Sequence, residues 1–222
     1  METGFSRPES SSLTGDARPA ASVEAVSTDW RQSVPVLTSR GVSLREVTQQ
    51  DASPLLAVLS TQDVSRFLSP LPATRDAFAR FVTLTHQQRA AGQYVCFAVV
   101  PTGMSTAIGL FQVRSLEPPF SIAEWGFALA SPFWGTGLFV EAARLVGDFV
   151  FGTIGVRRLE ARACVQNHRG NGALRKLGAT PEGVLRGSFL WQGEYHDQVL
   201  WSILDSDWKG AADPPESSSG SV

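Results

Sequence analysis

The sequence predicts a mixed α/β domain with six or seven strands and about four helices, and three observations lead there. Apolar residues recur at a spacing of two in some stretches and of 3.6 in others, and the two periods alternate along the chain. Proline and glycine clusters such as Pro101-Thr102-Gly103 and Pro118-Pro119 punctuate these stretches. The 222 residues are 43% hydrophobic, enough for one core without disulfide or metal staples.

Val42 to Val47 alternates as a strand does. A helix follows, with Asp51 as its start signal and Leu55, Leu56 and Leu59 on one face. Ser69-Pro70-Leu71-Pro72 reads as a loop. Thr74 then opens a longer helix that spaces Phe78, Phe81, Val82 and His86 along one side and ends near Gly92. Tyr94 to Val100 and Ala107 to Arg114 pair around the Pro101–Gly103 turn, and Ile122 to Ala130 is a further strand. The run from Leu138 to about Phe151 places Phe139, Ala142, Ala143, Val146, Phe149 and Val150 at helical spacing. Leu159 to Val165 is a strand, and a short helix from Asn171 to Leu177 closes at Gly178. Two last strands, Val184–Leu190 and Gln198–Leu204, flank the turn-like Gln192-Gly193-Glu194.

Residues 1–35 are mostly Ser, Thr, Ala, Gly and Pro, and residues 209–222 have the same character. Such segments bury too little apolar area to offset their ordering entropy, so both are expected to be flexible tails around a domain at 36–208. A net charge of −2 argues against a nucleic-acid partner, whose phosphates require a clustered basic surface. The start of the chain is acidic where a secretory signal needs basic residues, and the longest uncharged stretch is broken by Pro101 and Gly103. A cytoplasmic protein without a membrane span is expected. Cys96 and Cys164 sit in separate apolar runs and read as buried small hydrophobes; no residues have metal-ligand spacing, so no metal is expected.

The chemistry concentrates after Glu124. A strand ends near Ala130, and a loop containing Gly135 and Gly137 feeds directly into the amphipathic helix at Leu138. This turn points free backbone N–H groups outward at a helix N-terminus and binds anions without basic side chains. The Gly-x-x-x-x-Gly-Lys loop of nucleotidases is absent, and no third glycine completes a dinucleotide fingerprint. A tight strand-to-helix turn needing glycines for packing alone fits those residues equally well.

Trp134-Gly135-Thr136-Gly137-Leu138-Phe139 followed by Glu141-Ala142 resembles the acetyl-CoA loop of the GCN5-related N-acetyltransferases, and within them the branch of the ribosomal-protein alanine N-acetyltransferases. The resemblance continues through Gly155-Val156-Arg157-Arg158-Leu159-Glu160-Ala161, Asn167, Leu174-Arg175-Lys176-Leu177-Gly178-Ala179 and Tyr195 to Leu200. It covers most of residues 40–205 and is strongest after 122. It implies that family's fold, in which the fourth and fifth predicted strands splay apart. It also implies transfer of an acetyl group from acetyl-CoA to a primary amine, on a protein N-terminus or a small molecule, by direct transfer in a ternary complex. Neither cysteine is expected at the splay beside a histidine. A monomer and a homodimer are equally compatible with this reading.

Under the same resemblance Trp134, Gly135, Thr136, Gly137, Leu138 and Phe139 hold the cofactor, together with backbone groups near Phe127 and Leu129. Trp134 stands where the general pattern has Arg or Gln, Phe139 where it has a small residue, and Leu174 where many relatives have a tyrosine acid. Glu124 is the candidate base, and the alternative is a strand Glu paired with an Arg on its neighbour. Asn167 either contacts the cofactor or acceptor as a second catalytic residue, or caps the helix that follows it. Arg169, Arg175 and Lys176 either meet outer phosphates or lie on a solvated face. Trp125, His196 and Arg66 are the candidate acceptor contacts: Trp125 and Trp191 either line an acceptor groove or pack in the core, His196 lies beside Asp197 on a late strand, and Arg66 and Phe67 fall in the region that closes over substrate in relatives. The substitutions at 139 and 174 keep a second reading open, a non-catalytic acyl-CoA-binding sensor or docking module of the same fold.

Overall fold

The computed structural model describes residues 29–68 and 72–211. The loop expected at Ser69–Pro72 falls mainly on residues outside these, as do most of the two expected tails. Among the described residues no helix is long and apolar enough to cross a membrane.

One eight-stranded sheet organises the chain. The strands are β1 (Leu37–Thr38), β2 (Val42–Glu46), β3 (Tyr94–Pro101), β4 (Gly109–Glu117), β5 (Ile122–Leu129), β6 (Arg158–Cys164), β7 (Thr180–Trp191) and β8 (Glu194–Leu204). Their spatial order is β1-β2-β3-β4-β5-β6-β8-β7, antiparallel throughout except for the parallel pair β5–β6. The helices are α1 (Ala52–Leu59), α2 (Gln62–Ser65), α3 (Arg75–Ala90), α4 (Leu138–Phe149), α5 (His168–Lys176) and α6 (Asp205–Ala211). The sheet thus has one strand more than the upper expectation, because β1 spans two residues and leaves no periodic trace. The four residues of α2 escape detection for the same reason.

Alternation sorts the core onto the two faces. On one side Val95, Phe97 and Val99 of β3 join Phe111 and Val113 of β4 under α4 and α5. On the other, Cys96, Ala98 and Val100 join Leu110 under α1 and α3. A strand covered on both faces reads as a continuous apolar run, which is what Tyr94 to Val100 is. Thr74 caps α3 as expected, its hydroxyl accepting from the Ala77 amide at 3.1 Å. Asp51 is instead buried, accepting from the Thr48 amide at 2.8 Å and held by Arg45 at 2.7 Å.

At its N-terminal edge the domain runs further than composition predicts. Trp30 and Val34, inside the stretch read as a tail, are buried against the first cluster. Their apolar area outweighs the polar character of the neighbouring residues. At the other end Trp208 of α6 lies over α4, donating from its indole to Asp148 Oδ1 at 2.8 Å and stacking near Phe151. A Cβ at Gly147 would overlap the Trp208 ring. Helix propensity alone favours alanine there by about 1 kcal/mol. Gly147→Ala is nevertheless expected to lower stability in urea unfolding, because overpacking costs about 1–3 kcal/mol. In a Trp208→Ala background the same substitution should become neutral or stabilising.

Candidate active site

The site begins where β5 leaves the sheet. After Leu129 the chain makes a short turn at Ser131–Phe133 and enters α4 through Gly135 and Gly137, at φ 78° and 90°. Residues with a Cβ are strained at such angles. No described atom lies within 4 Å of a Cβ built at either glycine, so packing does not demand them. The amides of Gly135, Thr136, Gly137, Phe139 and Val140 make no hydrogen bond to another described residue. That of Leu138 has only a 3.4 Å contact with the Thr136 hydroxyl. These donors at the positive end of a twelve-residue helix suit an anion. Glu141 anchors the first turn of α4, accepting from the Gly41 amide at 2.8 Å, and that bond with the Ser39 hydroxyl holds its carboxyl below the usual range.

Trp134 has a more specific part than the sequence implies. Its indole donates to the Leu129 carbonyl at 2.8 Å, tying the loop to the end of β5. The Arg169 guanidinium lies 4.4 Å from its ring centroid, which brings a cation to the loop. Arg175 instead lies against Trp201. Asn167 is the N-cap of α5, accepting from the Gly170 amide at 2.8 Å.

Beside the loop the sheet opens. β5 and β6 pair at Ile122↔Arg158, Ala123↔Leu159 and Glu124↔Glu160, and no further, although β5 continues to Leu129 and β6 to Cys164. This is the expected splay. Phe127 and Phe139 fill its α4 side, with ring centroids 4.6 Å apart. Glu124 stands at the last paired position, half-buried, on the opposite face. Arg114, directly across from it on β4, binds its Oε2, and Arg162 Nε lies 3.6 Å from Oε1. That is the pairing expected of the structural alternative.

On the same side as α1 to α3 a small cleft opens to solvent. Arg66 and Phe67 reach it from the end of α2, Cys164 and Gln166 from the end of β6, and Phe189, Trp191 and His196 from the β7–β8 hairpin. Two of the three acceptor candidates, Arg66 and His196, therefore meet. Trp125 does not join them: it is 3% exposed in the core of the other face, between Phe111 and Phe127. Neighbours on a strand point to opposite faces, so Trp125 faces away from the side of the sheet that carries Glu124 and the cleft. Gln166 and Phe189 lie outside the sequence candidates and Cys164 is expected only as a buried small hydrophobe, since nothing local marks any of them for a site. Contrary to expectation, Cys164 ends β6 at the splay and shares the cleft with His196. Its thiol donates to Gln166 Oε1 at 2.7 Å and makes no hydrogen bond to the imidazole.

A family model described as an acetyltransferase (GNAT) domain matches residues 42–180. The Bacillus subtilis protein named uncharacterized N-acetyltransferase YoaA is 26% identical over 175 residues, 77% of this chain and 97% of that protein. The ribosomal protein uS5-alanine N-acetyltransferase of Escherichia coli is 23% identical over 189 residues, 81% of this chain and 96% of that enzyme. Mycobacterium smegmatis RimJ, solved in complex with CoA-disulfide, shares the fold with a TM-score of 0.68 at 18% identity, over 80% of this chain and 93% of RimJ.

Proposed function

The chain belongs to the GNAT acetyltransferase family, and from that premise we propose that it moves the acetyl group of acetyl-CoA directly to a primary amine in a ternary complex. The observation that carries this reading is the conjunction of the splay with the amide loop at its open end. The residues present fit the cofactor: the loop offers unpartnered donors, open space and the Arg169 guanidinium to the pyrophosphate. The backbone edge of β5 near Phe127 faces the gap where the pantetheine arm would lie. Bound there, acetyl-CoA supplies an activated thioester carbonyl.

The remaining work falls to the chain. Holding two reactants together is worth roughly 7–11 kcal/mol of barrier. The reaction forms a C–N bond and breaks the C–S bond, and Glu124, at the last paired position where the splay begins, takes the proton that the amine sheds. Backbone amides of β5 stabilise the charge that gathers on the carbonyl oxygen. Leu174 is buried and offers no acid, so the departing thiolate takes its proton from solvent. The Cys164 thiol stays with Gln166, and no acyl-enzyme forms. The acceptor is a protein N-terminus, as the name of the Escherichia coli relative suggests, or a small amine.

Thermal unfolding with and without acetyl-CoA tests the cofactor. At 100 times its dissociation constant the ligand should add about 2.7 kcal/mol of stability, about 5–10 °C for a domain of this size, while adenosine adds none. An unchanged transition at millimolar acetyl-CoA overturns the reading. Intact mass after acetyl-CoA alone should show no added acetyl group, whereas a label on Cys164 would replace direct transfer with a two-step route.

A further inference from the structure

The acceptor cleft has a one-sided chemistry. Its lining includes one permanent charge, the Arg66 guanidinium, and no carboxylate among the described residues. Arg66 forms no ion pair with a described carboxylate; it lies 5.0 Å from the Phe67 ring centroid and 5.6 Å from that of Trp191. A guanidinium stacked on rings keeps its N–H fork free for a planar anion. The His196 ring lies 5.9 Å from Trp191, and its Nε2 is buried without a hydrogen-bond partner among the described residues. A buried polar atom left unpaired has lost its hydration without replacement, so a partner arriving with the ligand recovers that loss. No described residue lining the cleft compensates a second positive charge, which disfavours polyamines and other polycations.

We propose that the acceptor carries a carboxylate close to its amine, held by the Arg66 guanidinium and His196 Nε2 against the Trp191 and Phe67 rings. This rests on the acetyltransferase reading of the same site. The recognised chemistry is shared by a free amino acid, through its own carboxylate, and by a peptide N-terminus with an acidic side chain.

Calorimetric titration into the CoA-loaded protein tests the inference without turnover. Phenylalanine is compared with phenylalanine amide, Ala-Glu amide with Ala-Gln amide, and putrescine serves as the cationic control. The carboxylate member of one pair should bind roughly tenfold to a hundredfold tighter than its neutral match, as a charge-assisted pair predicts. The pair that responds identifies the source. Arg66→Gln should erase the ratio and leave the neutral member unchanged, Arg66→Lys should keep part of it, and His196→Phe should reduce it. Arg66 is exposed, so these variants should fold, and an unchanged melting temperature checks that. Equal binding within both pairs, tightest binding of putrescine, or equal weakening of both members by Arg66→Gln overturns the inference. Acetyl-CoA stabilisation without carboxylate preference removes this inference alone. Carboxylate preference without acetyl-CoA stabilisation removes the transferase reading and leaves the anion cleft standing.

Discussion

Glu124→Gln is expected to lower the rate of amine acetylation by about 10²–10⁴-fold, the contribution of one general base. The substitution keeps the shape of the side chain and one acceptor oxygen for Arg114, while its NH2 replaces the oxygen that faces Arg162; the cofactor loop is untouched, so the stabilisation by acetyl-CoA should persist. Arg114 and Arg162 are themselves 54% and 40% exposed, and surface pairs of this kind contribute about 0–1 kcal/mol. Loss of the pair therefore accounts for little change in folding. A steady-state rate within about threefold of the parent, with the cofactor shift intact, would assign Glu124 to the ion pair alone. The proton would then leave by another route.

The largest expected loss of stability follows Phe111→Ala. Phe111 is 1% exposed at the centre of β4 and meets Trp125, Phe127 and Phe139, with ring centroids 6.0, 5.6 and 5.7 Å away. Truncating a buried phenylalanine costs about 3–5 kcal/mol in lost transfer energy and residual cavity. Denaturant unfolding should show that loss as a shift in midpoint at an unchanged slope. The two partners Phe127 and Phe139 also form the α4 wall of the splay. Folded variant molecules should therefore bind acetyl-CoA more weakly than the parent. An unfolding loss below about 1 kcal/mol would mean that this aromatic group is not a packed unit.

The parts of the fold and site that could be read in advance are those whose determinants lie close together in the chain. Thr74 stands at the start of α3 because its hydroxyl accepts from an amide three residues on. The anion loop is legible for a similar reason: two glycines between a strand and an amphipathic helix define it within a few residues. Trp125 takes the core alternative and not the acceptor groove, because periodicity assigns alternate faces without telling which face will hold the site. The C-terminal helix escaped because its stability comes from Trp208 on Gly147, a contact between distant elements. Cys164 and Gln166 carry no local mark at all; they become cleft residues only when the β7–β8 hairpin and the turn after α2 close around them.

By itself the sequence determined the α/β class, most of the strands and helices, the turn that presents its amides to an anion, and a resemblance strong enough to name a family. These follow from short-range rules of dihedral preference, capping and side-chain period. Only the tertiary structure decided that β5 and β6 separate after three pairs, that Glu124 lies between two arginines, and that Arg66 meets His196 across an aromatic cleft. Each depends on register and packing between elements far apart in the chain, and a one-residue change of strand register would send Glu124, Arg162 and His196 to the other face of the sheet.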